Sequence, residues 1–302
     1  MAGLRQTIRL LDRRRLRALL LAIRGDVEPP VDHETDPSLV ALVEEPFDSV
    51  VGVEDRIGTI ESYLRRRGDR RAVFATIYTR MTGTVRSGIE SGRFRDEAWM
   101  RDYTVTFAEY YRRALLAFER GRLGRVPDPW LLAFGTAVEG EALVAQDAFL
   151  GINAHINYDL ALALRDVGLD PNRPRKLADH RRIDDLLAGL VDAQQRALAD
   201  LYAPGIATVD ATLGRFDEWL SLVSMTEGRA HAWRTATVLT DLAGTPLTRY
   251  ARWVLRRTAT GAAHFVRSPP VDPALVAALE RVEREVTLDE ALDVLADRLD
   301  GA

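Results

Sequence analysis

Three of the five histidines have a carboxylate four residues away. On a helix this spacing places both side chains on one face, where an imidazole and a carboxylate can bind a divalent metal ion or transfer a proton. Chance produces such a pair for roughly one histidine in four in a chain this rich in acidic residues, so the spacing alone does not identify a site. The three pairs are His155 with Asp159, His180 with Asp184, and Glu227 with His231.

The first of these pairs stands out because of the residues around it. Asn153 and Asn157 add two more polar groups to the segment 149–164, which is otherwise apolar. Buried polar groups need partners, so these side chains either form a structural hydrogen-bond network or line a site. A metal or acid–base site and ligand binding without catalysis are the two functional alternatives. The sequence around His180 is basic, which predicts that the side chain of His180 is solvated.

The same segment resembles a known family. The stretch Gly151-Ile-Asn-Ala-His-Ile-Asn-Tyr-Asp159 is similar to the hallmark of the bacterial and archaeal domain of unknown function family 5995, and the resemblance extends over residues 50–239. By its name the family brings no established activity. The resemblance implies that Asp179 and Arg229 join His155, Asn157 and Asp159 as site residues, whereas His231 falls between the positions of the pattern. Further similar stretches are Phe94-x-Asp96 with Trp99, Phe107-Ala108-x-x-Tyr111, Pro129-Trp130, and Arg229-x-x-Ala232-Trp233-x-x-Ala236.

Three functions fit these residues. The first is a metal-assisted or acid–base enzyme for a small apolar substrate. Its catalytic residues are His155, Asp159, Asn157 and Arg229, and a divalent metal ion would be bound by His155, Asp159 and Asp179. The second function is a non-catalytic binding or scaffold protein in which the same residues form a structural network. The third is prenyl diphosphate chemistry, in which a DxxxD motif binds magnesium. That motif comprises Asp166 and Asp170.

The elements that position these residues are all helical. Apolar residues recur at helical spacing along most of the chain, and nowhere does a strand-like alternation persist. We predict an all-α fold, a single multi-helix bundle, in which the weakly charged stretch 130–167 forms a central buried helix or helix pair. A broad aromatic face over 96–120 is expected to lie in the core. Further helices are predicted over 53–66, 71–91, 179–202, 210–239 and 247–262.

The composition and the loop-forming residues predict the class of protein and its domain boundaries. The 41 basic and 45 acidic residues give a net charge of −4, which argues against nucleic-acid binding, and the absence of cysteine excludes thiolate chemistry. The apolar run 18–23 is too short to span a membrane, so we expect a soluble, cytoplasmic protein. Residues 3–24 form a basic amphipathic helix that either contacts anionic lipid or is simply solvated. We predict a leader over 1–36, a bundle core over 37–267 and a C-terminal helical appendage over 268–302.

Overall fold

A computed structural model describes residues 13–24, 27, 34–206, 225–269 and 272–302 of the 302-residue chain. Helices dominate this part of the chain and no strand occurs in it, which confirms the predicted all-α fold. Two short elements of other geometry are a 3₁₀ turn, Leu123–Arg125, and a π-helix, Asn153–Asp159. The α-helices are α1 Arg13–Arg24, α2 Pro37–Val43, α3 Val50–Arg66, α4 Ala72–Glu90, α5 Glu97–Glu119, α6 Asp128–Glu139, α7 Val144–Ile152, α8 Leu160–Val167, α9 Arg173–Ile206, α10 Met225–Asp241, α11 Pro246–Arg267, α12 Pro273–Glu285 and α13 Leu288–Asp300.

Local signals set several helix ends. Asp36 accepts hydrogen bonds from the first backbone N–H groups of α2, and Asp96 does the same for α5. Such caps satisfy donors that have no partner within the helix. Gly68 and Gly168, with φ of 65° and 84°, follow α3 and α8 in a conformation that favours glycine. These ends agree with the predicted ones to within a few residues, whereas α9 begins at Arg173, six residues earlier than expected.

The apolar stretch 130–167 is divided into four consecutive helical segments. These are α6, α7, the π-helix and α8, and most of their side chains are buried. Helices α5, α6, α10 and α11 all contact the π-helix, so elements distant in sequence surround it. The C-terminal hairpin of α12 and α13 packs against α9, and α13 also contacts α4.

The amino-terminal part is described only in pieces. Helix α1 packs along α11, while residues 1–12 and most of the loop before Glu34 lie outside the described residues. The predicted helix over 210–239 is seen only from Met225 onward. The domain boundaries at 36 and 267 stay predictions. No helix among the described residues combines the length and the apolar character that crossing a bilayer requires.

Candidate functional site

The candidate site is built on the π-helix. The backbone N–H of Leu160 donates to the carbonyl of His155, five residues earlier, which is the wider turn that defines this geometry. The preceding helix α7 lies very close to α4, because a Cβ atom at Gly151 would come within 2.5 Å of the Phe74 ring. On the opposite side, a Cβ atom at Gly228 would lie 2.8 Å from Asn157. Two glycines therefore allow the neighbouring helices to pack directly against this segment.

His155 and Asp159 lie together, as their spacing predicts. Nδ1 of His155 is 3.1 Å from Oδ2 of Asp159, and the same oxygen accepts a hydrogen bond from Trp130 Nε1 at 2.7 Å. Both side chains are buried. The other two polar atoms, His155 Nε2 and Asp159 Oδ1, have no hydrogen-bond partner among the described residues. An unpartnered buried polar atom costs about 1–3 kcal/mol, so the pair carries hydrogen-bonding capacity that the protein itself does not use.

Aromatic rings enclose the imidazole of His155. It stacks on Phe107 with ring centroids 3.6 Å apart and planes 8° from parallel. Tyr78 approaches at 4.5 Å with its ring tilted by 68°. Phe74 and Trp130 lie farther away, at 5.7 and 6.0 Å. The rings fix the plane of the imidazole and keep water from its faces.

This enclosure decides the protonation of the pair. Burial lowers the pKa of His155 well below its ordinary value, because the imidazolium would lose its hydration. Burial also raises the pKa of Asp159 well above its usual range, although the hydrogen bond from Trp130 partly opposes this. The two pKa values therefore move towards each other. A proton can pass between the two groups at a lower energy than between a free histidine and a free aspartate in water.

A cavity of about 70 Å³ adjoins His155. Its walls are mostly aromatic and aliphatic side chains, among them Phe74, Tyr78 and Phe107, and Arg229 lines another part of the wall. The cavity is smaller than an engineered apolar cavity of about 150 Å³ that binds benzene. A molecule the size of phenol fits only when the flexible side chains of Met81 and Met225, which line the cavity, move aside. Asp159 lies behind the imidazole and is not among the lining residues.

Arg229 is buried and already has protein partners. Its Nε donates to Asp184 at 2.5 Å, and its Nη2 donates to the carbonyl of His180 at 2.7 Å. An anionic ligand at this position would therefore compete with the carboxylate of Asp184. Arg229, predicted as a catalytic residue, thus shares the cavity with His155, but its Nε and Nη2 already donate to protein oxygens.

The prediction that His180 is solvated is wrong. Its ring is 1% exposed, because it faces α5 and α10 while the neighbouring Arg181 and Arg182 lie on the exposed side of α9. Nε2 of His180 lies 3.1 Å from the carbonyl of Arg229, which can only accept, so Nε2 carries the hydrogen. Nδ1 then accepts from the hydroxyl of Tyr103 at 3.0 Å. His180 has both ring nitrogens satisfied and serves to hold α9 to α10.

The two asparagines of the segment have a different surrounding from His155. Nδ2 of Asn153 donates to the carbonyl of Ala259 on α11 at 2.9 Å. Its Oδ1 accepts from Nδ2 of Asn157 at 3.1 Å. This network ties the π-helix to α11 and is structural. Asn157, predicted as a catalytic residue, is not among the residues that line the cavity.

Comparison with known proteins agrees with the motif in this segment. The sequence profile of the family of unknown function DUF5995 matches residues 50–269. The chain belongs to this family. The match includes His155, Asp159, Trp130 and Arg229, but the family has no assigned activity to transfer to them. No curated protein and no solved structure is similar enough to count as a match.

Asp179, which the family resemblance added to the site, holds the backbone before α5. Its two carboxylate oxygens accept from the backbone N–H groups of Arg95 and Asp96 at 2.8 and 2.7 Å, just before α5. Both oxygens of Asp179 are thus used in fixing the start of that helix. Within the described ranges, no three histidine, aspartate or glutamate side chains are grouped so that they could hold a metal ion. The predicted metal set of His155, Asp159 and Asp179 therefore has no support in the geometry.

The DxxxD motif is not assembled as a magnesium site. Asp166 lies on α8 and accepts from the hydroxyl of Tyr110 at 2.5 Å, whereas Asp170 follows the turn at Gly168. Asp170 pairs with Arg173 at 2.7 Å. The glycine turn separates the two carboxylates and each is engaged elsewhere. Prenyl diphosphate chemistry therefore has no support in this structure.

The sequence did not assign three partners to the site, Trp130, Phe107 and Tyr78, although the family resemblance includes Trp130 and Phe107. Each lies on another helix, so no local pattern could assign it to His155. Phe107 belongs to the aromatic face of α5, which is equally typical of an ordinary core. His231, given little weight from the sequence, lies 3.1 Å from Thr235 on its own helix.

Proposed function

We propose that the cavity binds a small, largely apolar molecule and that His155 exchanges a proton with this molecule as a general acid–base. The observation that carries the proposal is the unpartnered Nε2 of His155, a buried atom of a residue that lines an apolar cavity. A ligand with one hydrogen-bonding group would give Nε2 of His155 the partner that it lacks. Asp159 orients the ring through Nδ1 and is the positioning residue.

The pair can move one proton without forming a net positive charge. When Nε2 takes a proton from the ligand, the hydrogen on Nδ1 passes to the carboxylate of Asp159 over the 3.1 Å contact. The imidazole stays neutral and the carboxylate becomes a carboxylic acid. The reverse transfer returns a proton to the ligand. On the protein side, burial favours the end state of this transfer, a neutral imidazole beside a carboxylic acid, because it disfavours both an imidazolium and a carboxylate ion.

Binding is tested with phenol and toluene, which have nearly the same shape. Phenol should bind the wild-type protein about threefold to tenfold more tightly than toluene, because its hydroxyl group can bond to Nε2. In His155→Phe the phenyl ring keeps the stack on Phe107 but lacks Nε2, so the preference should vanish. Titration calorimetry measures both affinities. Equal binding of the two probes by the wild type would contradict the proposal.

Proton transfer is tested with butanone, a small ketone, in deuterated water. Removal of a proton from the carbon next to its carbonyl leaves an enolate, and return of a deuteron labels that carbon, which proton NMR detects. The wild type should accelerate exchange at least about tenfold over His155→Phe, since general acid–base catalysis contributes about 10²–10⁴-fold. If butanone exchanges at the same rate with both proteins, His155 does not act as a base.

The cytoplasmic location stays a prediction, which cell fractionation would test.

A further inference from the structure

Helices α1 and α11 carry a second surface of the molecule, and neither helix lines the cavity beside His155. Among the described residues, six large hydrophobic side chains are exposed, and five of them lie on these two helices. Leu16 and Leu20 are each 50% exposed and lie one helical turn apart. The five residues are Leu16, Leu20, Leu21, Tyr250 and Trp253.

The two helices form one continuous face. A Cβ atom at Gly261 would lie 1.7 Å from the carbonyl oxygen of Ala18, so α1 lies directly on the backbone of α11. Tyr250 precedes Gly261 by eleven residues, about three helical turns, so it lies on nearly the same side of α11 as the contact with α1. Trp253 stacks on Tyr250, with ring centroids 6.0 Å apart. The exposed leucines of α1 and the exposed aromatic pair of α11 therefore belong to one surface, called here the α1–α11 surface.

The two helices that carry this surface are basic in an otherwise acidic protein. The two helices contain ten arginines and no aspartate or glutamate, whereas the whole chain has a net charge of −4. Two of the arginines, Arg256 and Arg267, pair with acidic side chains of α6. Arg17, Arg249 and Arg252 are exposed beside the apolar side chains.

We infer that the α1–α11 surface binds the headgroup region of an anionic lipid bilayer. Helices that lie in the plane of a membrane interface typically combine leucine, tryptophan and tyrosine with arginine. Tryptophan and tyrosine place their polar edges at the headgroups, leucine enters the acyl boundary, and arginine attracts anionic lipid. The charge of the surface is complementary to a negatively charged bilayer. The inference does not depend on the proposed function of the cavity.

The full-length protein is tested by flotation with two kinds of vesicle. One kind is phosphatidylcholine alone, and in the other about a third of the lipid is phosphatidylglycerol. We expect binding to the anionic vesicles at low salt, at least about tenfold weaker binding to the neutral ones, and release by high salt. Leu20→Glu and Trp253→Glu should each lower the binding about tenfold or more, because each removes apolar burial and adds repulsion.

Val51→Glu is the matched control, because Val51 is the sixth exposed hydrophobic residue and lies on α3. It should bind vesicles like the wild type. Circular dichroism melting verifies that all three variants fold. No vesicle binding, equal binding to both kinds of vesicle, or equal loss in Val51→Glu would overturn the inference. Sedimentation equilibrium measures self-association, which is the alternative use of this surface. Self-association that Leu20→Glu abolishes, in a protein that does not bind vesicles, would assign the surface to a second copy of the chain and overturn the inference.

Discussion

Replacing His155 by phenylalanine separates a functional site from a structural network. The substitution removes the unpartnered Nε2, whose burial costs about 1–3 kcal/mol. It also removes the hydrogen bond between His155 and Asp159, a loss of about 0.5–1.5 kcal/mol. Oδ2 of Asp159 keeps its bond from Trp130, and the new ring keeps the stack on Phe107. We therefore expect a free energy of unfolding between about 2.5 kcal/mol higher and about 0.5 kcal/mol lower than in the wild type.

Asn153→Leu provides the comparison within the same π-helix. Asn153 is also buried, but its amide is bonded to Ala259 and Asn157, and the substitution leaves both partners unsatisfied. The expected loss is at least about 2 kcal/mol. Urea unfolding followed by circular dichroism measures both variants. If His155→Phe is as destabilising as Asn153→Leu, then His155 belongs to the structural network, and the reasoning from its free nitrogen fails.

Three further predictions concern residues outside the pair of His155 and Asp159. Gly151→Ala should lower the free energy of unfolding by about 1–3 kcal/mol and weaken phenol binding, because the added methyl group displaces Phe74 from the cavity wall; an unchanged affinity would contradict this. Burial raises the pKa of Asp147 on α7 to about 7, although the guanidinium of Arg70, 2.6 Å away, opposes this; in an unfolded chain the pKa is about 3.9. The native state therefore holds a proton that the unfolded state has lost, and stability should fall as the pH rises from about 4 to about 7. Asp147→Asn should remove this part of the decline in urea titrations; an unaltered slope would show that Asp147 is ionised. Asp179→Ala should cost about 1–3 kcal/mol of stability and leave the phenol affinity unchanged, since its oxygens bond only to backbone before α5. A loss of phenol affinity at preserved stability would instead return Asp179 to the site.

The sequence predicts the helices well because their signals are local. Asp96 and Gly168 mark the start of α5 and the end of α8 through interactions within a few residues. The pairing of His155 with Asp159 is local in the same sense, since four residues separate them. These features do not require knowledge of the tertiary structure.

The rest of the site depends on contacts between helices that no periodicity encodes. Three histidines have the same spacing to a carboxylate, yet Asp184 bonds to Arg229, and His180 bonds to Tyr103. The basic residues around His180 predicted exposure because the sequence does not show which face of α9 meets the core. Asp179 entered the predicted site only through the family resemblance, and a carboxylate that accepts from backbone N–H groups elsewhere in the fold looks the same in sequence as one that binds a metal. The π-helix itself has no sequence signature in this chain.

Nitrogen-15 NMR of the ring of His155 reports both its protonation and its contact with a ligand. We predict that the imidazole stays neutral over the pH range in which a free histidine becomes charged, because burial lowers the pKa of His155. We also predict that the Nε2 resonance shifts when phenol is added and does not shift with toluene. An imidazolium throughout this pH range, or an Nε2 resonance that stays unchanged at saturating phenol, would contradict a proton-exchanging site at His155.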